Sequence, residues 1–530
     1  MTQSGTLKSL FDRDHSARQG ILARARLCAE LSKPWVLPPE SQDPNASLPE
    51  NYQSLGSRGT MNLEGRMLMA LFPPSTPWFQ RVLAPEIQYS PEIPDEIKQA
   101  IAQRLFLQDL MVLSVLESAN LQPKRQGRTT GFRSRKRAAI TQLLITGDVL
   151  EYIDDNYRLR TYRRDQYVTK RDGVGDVLYH VIKEWIDPLG LSDEMLIAAE
   201  LKRDELALKN VNERMEDVFT RIEWQPESKQ WLIEQELNGQ TINESEEQIS
   251  PFFSTPFELV AGEDYGRGFI ELNLGDLRSY ENLRVSMLDF GATHSKQLNA
   301  IDFGSMVRER DLTKPSGSIF RAKVRGGKVD DVAAYGPQNA VNFEVVRATA
   351  ADIRADLGAA MLLEAETQPK GERVTAYQVQ RVAMELEGAL GGVYAPIAEE
   401  QQLPLLRRVM WMMQKDKLLP TLPEDAVEIQ VLTGLAALKR EFDKANLLQF
   451  AQVMGQFGPA ALRRVNIGVM MNVFARYQNI SEPGLIRSDE EIAAEDAQMA
   501  QQRLQEQAGG KAIDVVGDAA GAAMTTPTEG

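Results

Sequence analysis

Two long amphipathic segments, residues 270–297 and 342–363, bracket a stretch rich in glycine and charge, and any fold of this chain must bury both apolar stripes. In the first segment Leu277, Tyr280, Leu283 and Leu288 recur at helical spacing, and in the second Ile353, Leu357 and Met361 stand four apart. Apolar residues at that period form one face of a helix, which needs another element to cover it. The bracketed stretch, 299–341, is predicted to hold one strand, SIFRAKV, among loops. The linker AETQPKGER comes next, and a third helix is predicted from Thr375 to about residue 417. Thr375 and Gln378 have the spacing of a capping box, in which a hydroxyl accepts from a backbone amide and an amide side chain reaches back. Gly391, Gly392, Pro396 and Pro404 are expected to kink this helix rather than end it. A span of ~40 helical residues would extend about 60 Å.

The chain before residue 149 also reads as helical. HSARQGILARARLCAELSKPW carries Ile21, Leu22, Leu27 and Leu31 and stops at Pro34, which cannot continue a helix. Further helices are predicted over 57–72, ending in Pro73-Pro74, and over 95–120. From 149 to 186 the period changes. VLEYI, YRLRTY, QYVTK and DVLYHVIKEWI are short and rich in Val, Tyr and Ile, with DGVG as a turn. A charged helix is predicted at 192–210, followed by a hairpin of Phe219–Trp224 and Trp231–Leu237 around QPESK. Residues 1–268 are therefore expected to form an α+β region. Helices are predicted again over 435–478, whereas from residue 486 the composition shifts to Ala, Gln and Gly and predicts disorder.

A length of 530 residues allows three or four structural units at ~150 residues per domain. A formal charge of −15 argues against a protein that binds polyanions over its whole surface. The single cysteine, Cys28, excludes an intramolecular disulfide framework and any zinc site built from three or four cysteines of one chain. His15, His180 and His294 lie too far apart for a local ligand motif. No stretch approaches the ~20 apolar residues of a membrane span, and the first residues lack the apolar core of a secretory signal, so a soluble protein of a reducing compartment is expected. Phosphate loops, GxGxxG after a strand, HExxH, EF-hand loops and nucleophile elbows are all missing, which lowers the standing of the common enzyme classes. GEDYGRG (262–268) lacks the lysine of a nucleotide site and reads as backbone turn geometry. Asp154-Asp155 and Asp330-Asp331 read as solvated loops rather than a two-metal site.

The one strong charge anomaly is PKRQGRTTGFRSRKR (123–137), with Lys124, Arg125, Arg128, Arg133, Arg135, Lys136 and Arg137 and no acid. Two readings stand side by side: a contact for phosphate or an acidic partner, and a solvated helix start balancing acidic neighbours. Only Phe132 interrupts the run with an aromatic ring, so it offers no platform for stacked bases. Lys370 and Arg373, beside Gly371, read on their own as a turn between helices.

Several segments carry a resemblance: GSRGTMNLEGRMLMALFPPSTPWF (56–79), LLITGDVLEYI (143–153), EDYGRGFIELNLGDLRSYENL (263–283), KGERVTAYQVQRVAMELEGALGGVYAPIAEEQQLPLLRRV (370–409) and VLTGLAALKR (431–440). In this order, over about residues 20 to 480, the chain resembles the head-to-tail connector, or portal, proteins of short-tailed bacteriophages. The resemblance implies a mainly α protomer with an α+β wing, assembling into a closed ring, usually of twelve subunits, at one capsid vertex. It implies a wing at 1–268, a first stem helix at 269–298, a clip at 299–341 and a second stem helix at 342–363. A tunnel loop at 364–374, a long kinked wing helix with its connection at 375–430, crown helices at 431–485 and a tail at 486–530 complete the layout. The implied partners are other copies of the chain, double-stranded DNA without sequence specificity, the terminase large subunit, tail adaptor proteins, the scaffold and the major capsid protein. Such a protein resides in the virion, and in the host cytoplasm during assembly. In that frame Lys370 and Arg373 fall on the tunnel loop, facing DNA, and Arg321, Lys323, Arg325 and Lys328 fall in the clip, facing terminase or tail proteins. No catalytic residue, metal or cofactor is implied. A scaffold or tail adaptor is the alternative, although scaffolds lack a β-rich segment like 149–237.

Overall fold

A computed structural model describes residues 6–39, 47–73, 77–88, 90, 93–121, 131–295, 298–315, 317–326, 328–335, 340–363, 394–420 and 426–432, with scattered positions from 447 to 474. The chain divides into two units, Met1–Leu435 and Ala436–Gly530. In the second unit the described positions are helical. Every labelled element belongs to the first.

The N-terminal helices begin with α1 (Leu7–Ala17), where the Thr6 hydroxyl accepts from the Ser9 amide and supplies a cap. A break at Arg18 separates α1 from α2 (Gln19–Glu30), so the helix expected to start near His15 is two helices. Next come α3 (Leu55–Leu71), β1 (Phe79–Leu83), α4 (Pro85–Gln88), α5 (Asp95–Leu121) and α6 (Phe132–Thr146). The helices expected at 57–72 and 95–120 are α3 and α5. Helix α6 ends at Gly147 (φ 79°), whose amide bonds to the Leu143 carbonyl in a left-handed cap that glycine adopts at least cost.

The β region opens with β2 (Asp148–Ile153), β3 (Leu159–Tyr162), β4 (Tyr167–Arg171) and β5 (Val177–Ile186). The charged segment after it is three short helices, α7 (Asp193–Ala198), α8 (Arg203–Leu208) and α9 (Val211–Arg214), not one. Glu200 in the left-handed region (φ 57°) interrupts it, and Leu196 and Leu206 are buried from separate pieces. Strands β6 (Glu216–Gln225), β7 (Gln230–Leu237), β8 (Gln240–Glu247) and β9 (Phe252–Pro256) come after them. The expected hairpin is β6–β7, with Trp224 opposite Trp231. β8 and β9 were not legible, because QTINESEE has only Ile242 to bury and FFSTP lies wholly inside. Strands β3-β2-β9 form one antiparallel sheet and β4-β5-β6-β7-β8 another. Helix α1 lies on the larger sheet, with Leu7 and Phe11 packed among Val168, Val181 and Phe219.

After the sheets, α10 (Phe269–Leu272) and α11 (Leu274–Ser295) replace the single helix expected at 270–297, the chain bending at Asn273. Then come β10 (Leu298–Ile301), α12 (Glu309–Leu312), β11 (Val324–Arg325), β12 (Lys328–Val329), β13 (Val332–Tyr335) and α13 (Ala340–Ala360). SIFRAKV is not a strand. Only Val324 of it pairs, in a two-residue hairpin with β12, while β10 and β13 make the ladder that closes the segment. Of the long helix expected at 375–417, residues 375–393 lie outside the described residues. Its remainder comprises α14 (Tyr394–Ile397), a π turn (Ala398–Gln402) and α15 (Leu403–Lys415), and beyond it β14 (Val427–Val431) pairs with β1. Pro404 sits in the first turn of α15, and the Glu400 carbonyl four residues earlier, which no proline N–H can reach, receives the Thr255 hydroxyl at 3.4 Å.

The main core joins α2, α3, α5 and α6 to β2 and α15, through residues such as Leu63, Met67, Val112, Ile140, Leu144 and Val409. Leu277 of α11 and Leu357 of α13 anchor the paired helices in it.

Candidate functional site

Helices α11 and α13 lie antiparallel. Leu277 and Leu357 are buried at one end of the pair, and Phe290 stacks on Phe343 at the other, centroids 4.5 Å apart and planes 14° from parallel. Between those ends runs a groove of about 340 Å³, lined by Tyr280, Arg284 and Met287 of α11 and by Arg347, Ala350 and Arg354 of α13. Most of the outward positions of both helices are exposed, Leu288 and Val345 among them. The pair is thus buried at one end and, among the described residues, presents exposed outward positions beyond it.

The segment joining the two helices is organised by Asp331. Its carboxylate is buried and accepts from the Lys323 amide (2.8 and 3.1 Å) and the Ser305 hydroxyl (3.0 Å), while its carbonyl receives the Asp302 amide. Asp331 is thus a loop organiser rather than a solvated acid. Arg321, Lys323, Arg325 and Lys328 are all exposed, and no ion pair holds any of them among the described residues. Arg325 and Lys328 face each other across the β11–β12 hairpin, two cations opposed with no acid between. Phe303, Met306 and Ile319 are exposed on the same segment. Lys370 and Arg373 lie outside the described residues.

The basic run divides. Lys124, Arg125 and Arg128 lie outside the described residues, and the other four belong to α6. Lys136 is 0% exposed. Its ammonium donates to both carboxylate oxygens of Glu151 (3.0 and 2.8 Å) and sits over the Phe72 and Phe253 rings. Burial drives the Lys136 pKa down, and the Glu151 charge pulls against it. Arg137 pairs with buried Glu64, which also accepts from Lys33 and Thr141. Burial alone would raise the Glu64 pKa; hydrogen bonds from Lys33, Thr141 and Arg137 outweigh it and leave it lowered. Arg133 donates to the Phe72 carbonyl and Arg135 to that of Leu159. These four cations hold α6 to its neighbours: a helix start that balances acids, as one reading had it, but with Lys136 buried rather than solvated, so that Lys136 has no surface to offer a phosphate. The signal that could have shown it was position: the run enters a helix whose buried face it must partly occupy.

Glu151 is also the point where the π turn docks. Gln401 donates to its Oε2 at 2.7 Å and Gln402 donates to the Leu71 carbonyl at 2.8 Å, both from fully buried side chains. GEDYGRG is structural as expected. A Cβ on Gly266 would lie 2.4 Å from the Gly147 carbonyl oxygen, and one on Gly268 would lie 2.8 Å from that of Leu144, so the glycines let two backbones touch. Asp154 likewise serves a turn, accepting from the Asn156 and Arg158 amides. Among the described residues no group of three His, Cys, Asp or Glu is placed to hold a metal ion, and no helix is long and apolar enough to cross a membrane.

A packed mixed core that holds out a helix pair and a cation-bearing loop defines a protein that works through contact surfaces. The family of bacteriophage head to tail connecting proteins matches residues 4–485. The portal protein of Escherichia phage T7 is 29% identical over 509 residues, spanning 94% of this chain and 90% of its own. That of Enterobacteria phage T3 is 29% identical, spanning 92% and 89%, and that of Pseudomonas phage phiKMV is 25% identical, spanning 94% of each. The chain belongs to this family of head-to-tail connectors, the portal proteins of short-tailed phages. The family is a structural component of the virion; the matched relatives are portal proteins, not scaffolds or tail adaptors.

Proposed function

We propose that this chain closes into a ring, of twelve subunits as the resemblance implies, at one vertex of the capsid, and that the ring passes double-stranded DNA inward during packaging and outward during ejection. In this reading α11 and α13 are the stem, 299–341 the clip, 364–374 the tunnel loop, 1–268 the wing and 431–485 the crown. The observation that carries it is the α11/α13 pair, anchored at Leu277 and Leu357 with most of its outward positions exposed among the described residues. A single copy has no lumen, and such a pair is suited to lining one only when copies stand side by side.

An acidic chain suits this task. Helix α11, at 22 residues, is about 33 Å long. Duplex of that length carries roughly 20 phosphates, at one per ~1.7 Å. A cation against each would make the contact tight and strongly salt-dependent. A moving duplex needs the reverse, and charges more than ~8–10 Å apart in saline are largely screened, so an acidic wall does not bar entry. A few cations on a loop would touch the backbone without gripping it; Lys370 and Arg373 fill that role in this proposal. No base is read, so no sequence preference is expected. The exposed cations Arg321, Lys323, Arg325 and Lys328 would dock the terminase large subunit and, later, tail adaptor proteins.

Negative-stain microscopy of the purified full chain tests the proposal. Rings with a central hole are expected, and a monomer at every concentration would refute it. Replacing Lys370 and Arg373 together with alanine should leave rings intact and alter DNA retention. Reversing the four clip charges should abolish capture of the terminase large subunit in a pull-down; unchanged capture removes that assignment.

A further inference from the structure

Charge is segregated around α13. On α13, Arg347 and Arg354 stand seven residues, two turns, apart and share the groove with Arg284 of α11. Asp352 and Asp356 lie two residues to either side of Arg354, which puts each about 160° round the helix from it. Both aspartates are exposed, and neither has an ion-pair or hydrogen-bond partner among the described residues. They are also four apart, a spacing at which like charges repel. Arg284 and Arg354 are likewise without a partner among the described residues, and Arg347 reaches Glu344 only at 3.9 Å, with both side chains about two-thirds exposed. On α13, therefore, the groove side carries Arg347 and Arg354 and the opposite side carries carboxylates that have no cation among the described residues.

The groove lining also includes Ala350, Ala351 and Ala355, which present no more than a methyl group and let another helix approach closely. A cationic groove on one side and an acidic ridge on the other make a head-to-tail contact, and such contacts form closed rings when the rotation between copies allows. We propose that the α11/α13 groove of one copy seats the Asp352/Asp356 ridge of α13 from the adjacent copy, its carboxylates lying among Arg284, Arg347 and Arg354. Duplex phosphate is the weaker occupant, because it leaves the two aspartates with no cation. The inference rests on the ring reading and names the surfaces that close the ring.

A charge-swap experiment on the full chain tests it. One variant carries Arg284→Glu and Arg354→Glu, a second carries Asp352→Lys and Asp356→Lys, and a third carries all four substitutions. Each of the first two should lose rings at least tenfold by sedimentation velocity and microscopy. The four-substitution chain should form rings again. So should an equimolar mixture of the first two, because glutamate grooves accept lysine ridges while native grooves accept native ridges, in alternation. Restoration on mixing also shows that neither variant is misfolded. Either variant assembling like the wild type, or a mixture and a four-substitution chain that both stay as subunits, overturns the proposal. Intact rings that have lost DNA retention overturn it in favour of phosphate in the groove. A wild-type chain that never forms rings refutes the ring reading itself.

Discussion

Replacing Lys136 with methionine would leave the Glu151 carboxylate in the core with Gln401 as its remaining side-chain donor. Lys136 and Glu151 are both 0% exposed and their charged groups are 2.8 Å apart, so no water can take over the lost partner. Removing one member of a buried pair costs about 3–5 kcal/mol. At 1.4 kcal/mol per decade that is a loss of about two to three and a half powers of ten in the folding equilibrium. The variant Lys136→Met with Glu151→Leu removes both charges and should recover most of the loss, less the roughly 1–3 kcal/mol of an unsatisfied Gln401 amide. Urea unfolding at one fixed protein concentration measures all three, since association makes stability concentration-dependent. A cost below ~1 kcal/mol for Lys136→Met, or a double variant no better than the single, would refute the buried clamp.

Other expectations concern separate parts of the fold. Burial, with the nearby Arg171 charge adding to it, lowers the His180 pKa from 6.5 to about 3, so the folded chain holds it neutral. The unfolded state then binds the extra proton, and the stability this contributes is whole above pH 6.5 and lost as the pH falls toward 3. At pH 5 the loss is about 2 kcal/mol, and His180→Gln should remove that part of the acid sensitivity in unfolding curves at pH 7 and pH 5. Gly266→Ala should cost at least ~2 kcal/mol in urea unfolding, because its Cβ would meet backbone and not a movable side chain. Asp331→Ala should speed limited proteolysis within 299–341 while leaving cleavage of the main core unchanged, since Asp331 ties Lys323 and Ser305 into that segment.

Much of the architecture was legible from spacing. Helices α3, α5, α11 and α13 stand within a few residues of the segments whose apolar period named them, because that period is the helical repeat itself, even where, as at Leu288, part of the stripe is left exposed. Failures came where tertiary contact overrode local pattern. Strand β8 is polar at every position but Ile242 and is held by its ladder to β7, not by an apolar face. The segment 192–210 has helical composition, yet Glu200 breaks it so that Leu196 and Leu206 reach the core from different pieces. Within the candidate site, Arg321, Lys323, Arg325 and Lys328, which the resemblance assigns to a docking surface, are exposed. Of the α6 cations Lys136 is buried and Arg133 and Arg135 are half-buried, because a charge count along the chain does not say which side of a helix packs against the core.

From its own order of residues the chain determined where its long helices lie, the change to strands after residue 147, and the glycines at which backbone meets backbone. Those properties need only near neighbours: a repeat of 3.6 or 2 residues, or the absence of a Cβ. The folded structure alone decided that Lys136 belongs to Glu151, that Glu151 also receives the π turn through Gln401, and that Arg284 shares a groove with Arg347 and Arg354. These are meetings of residues from 15 to 250 positions apart. Whether a charge is a clamp or a surface is set by the partner and the water that packing leaves beside it, and neither is written along the chain.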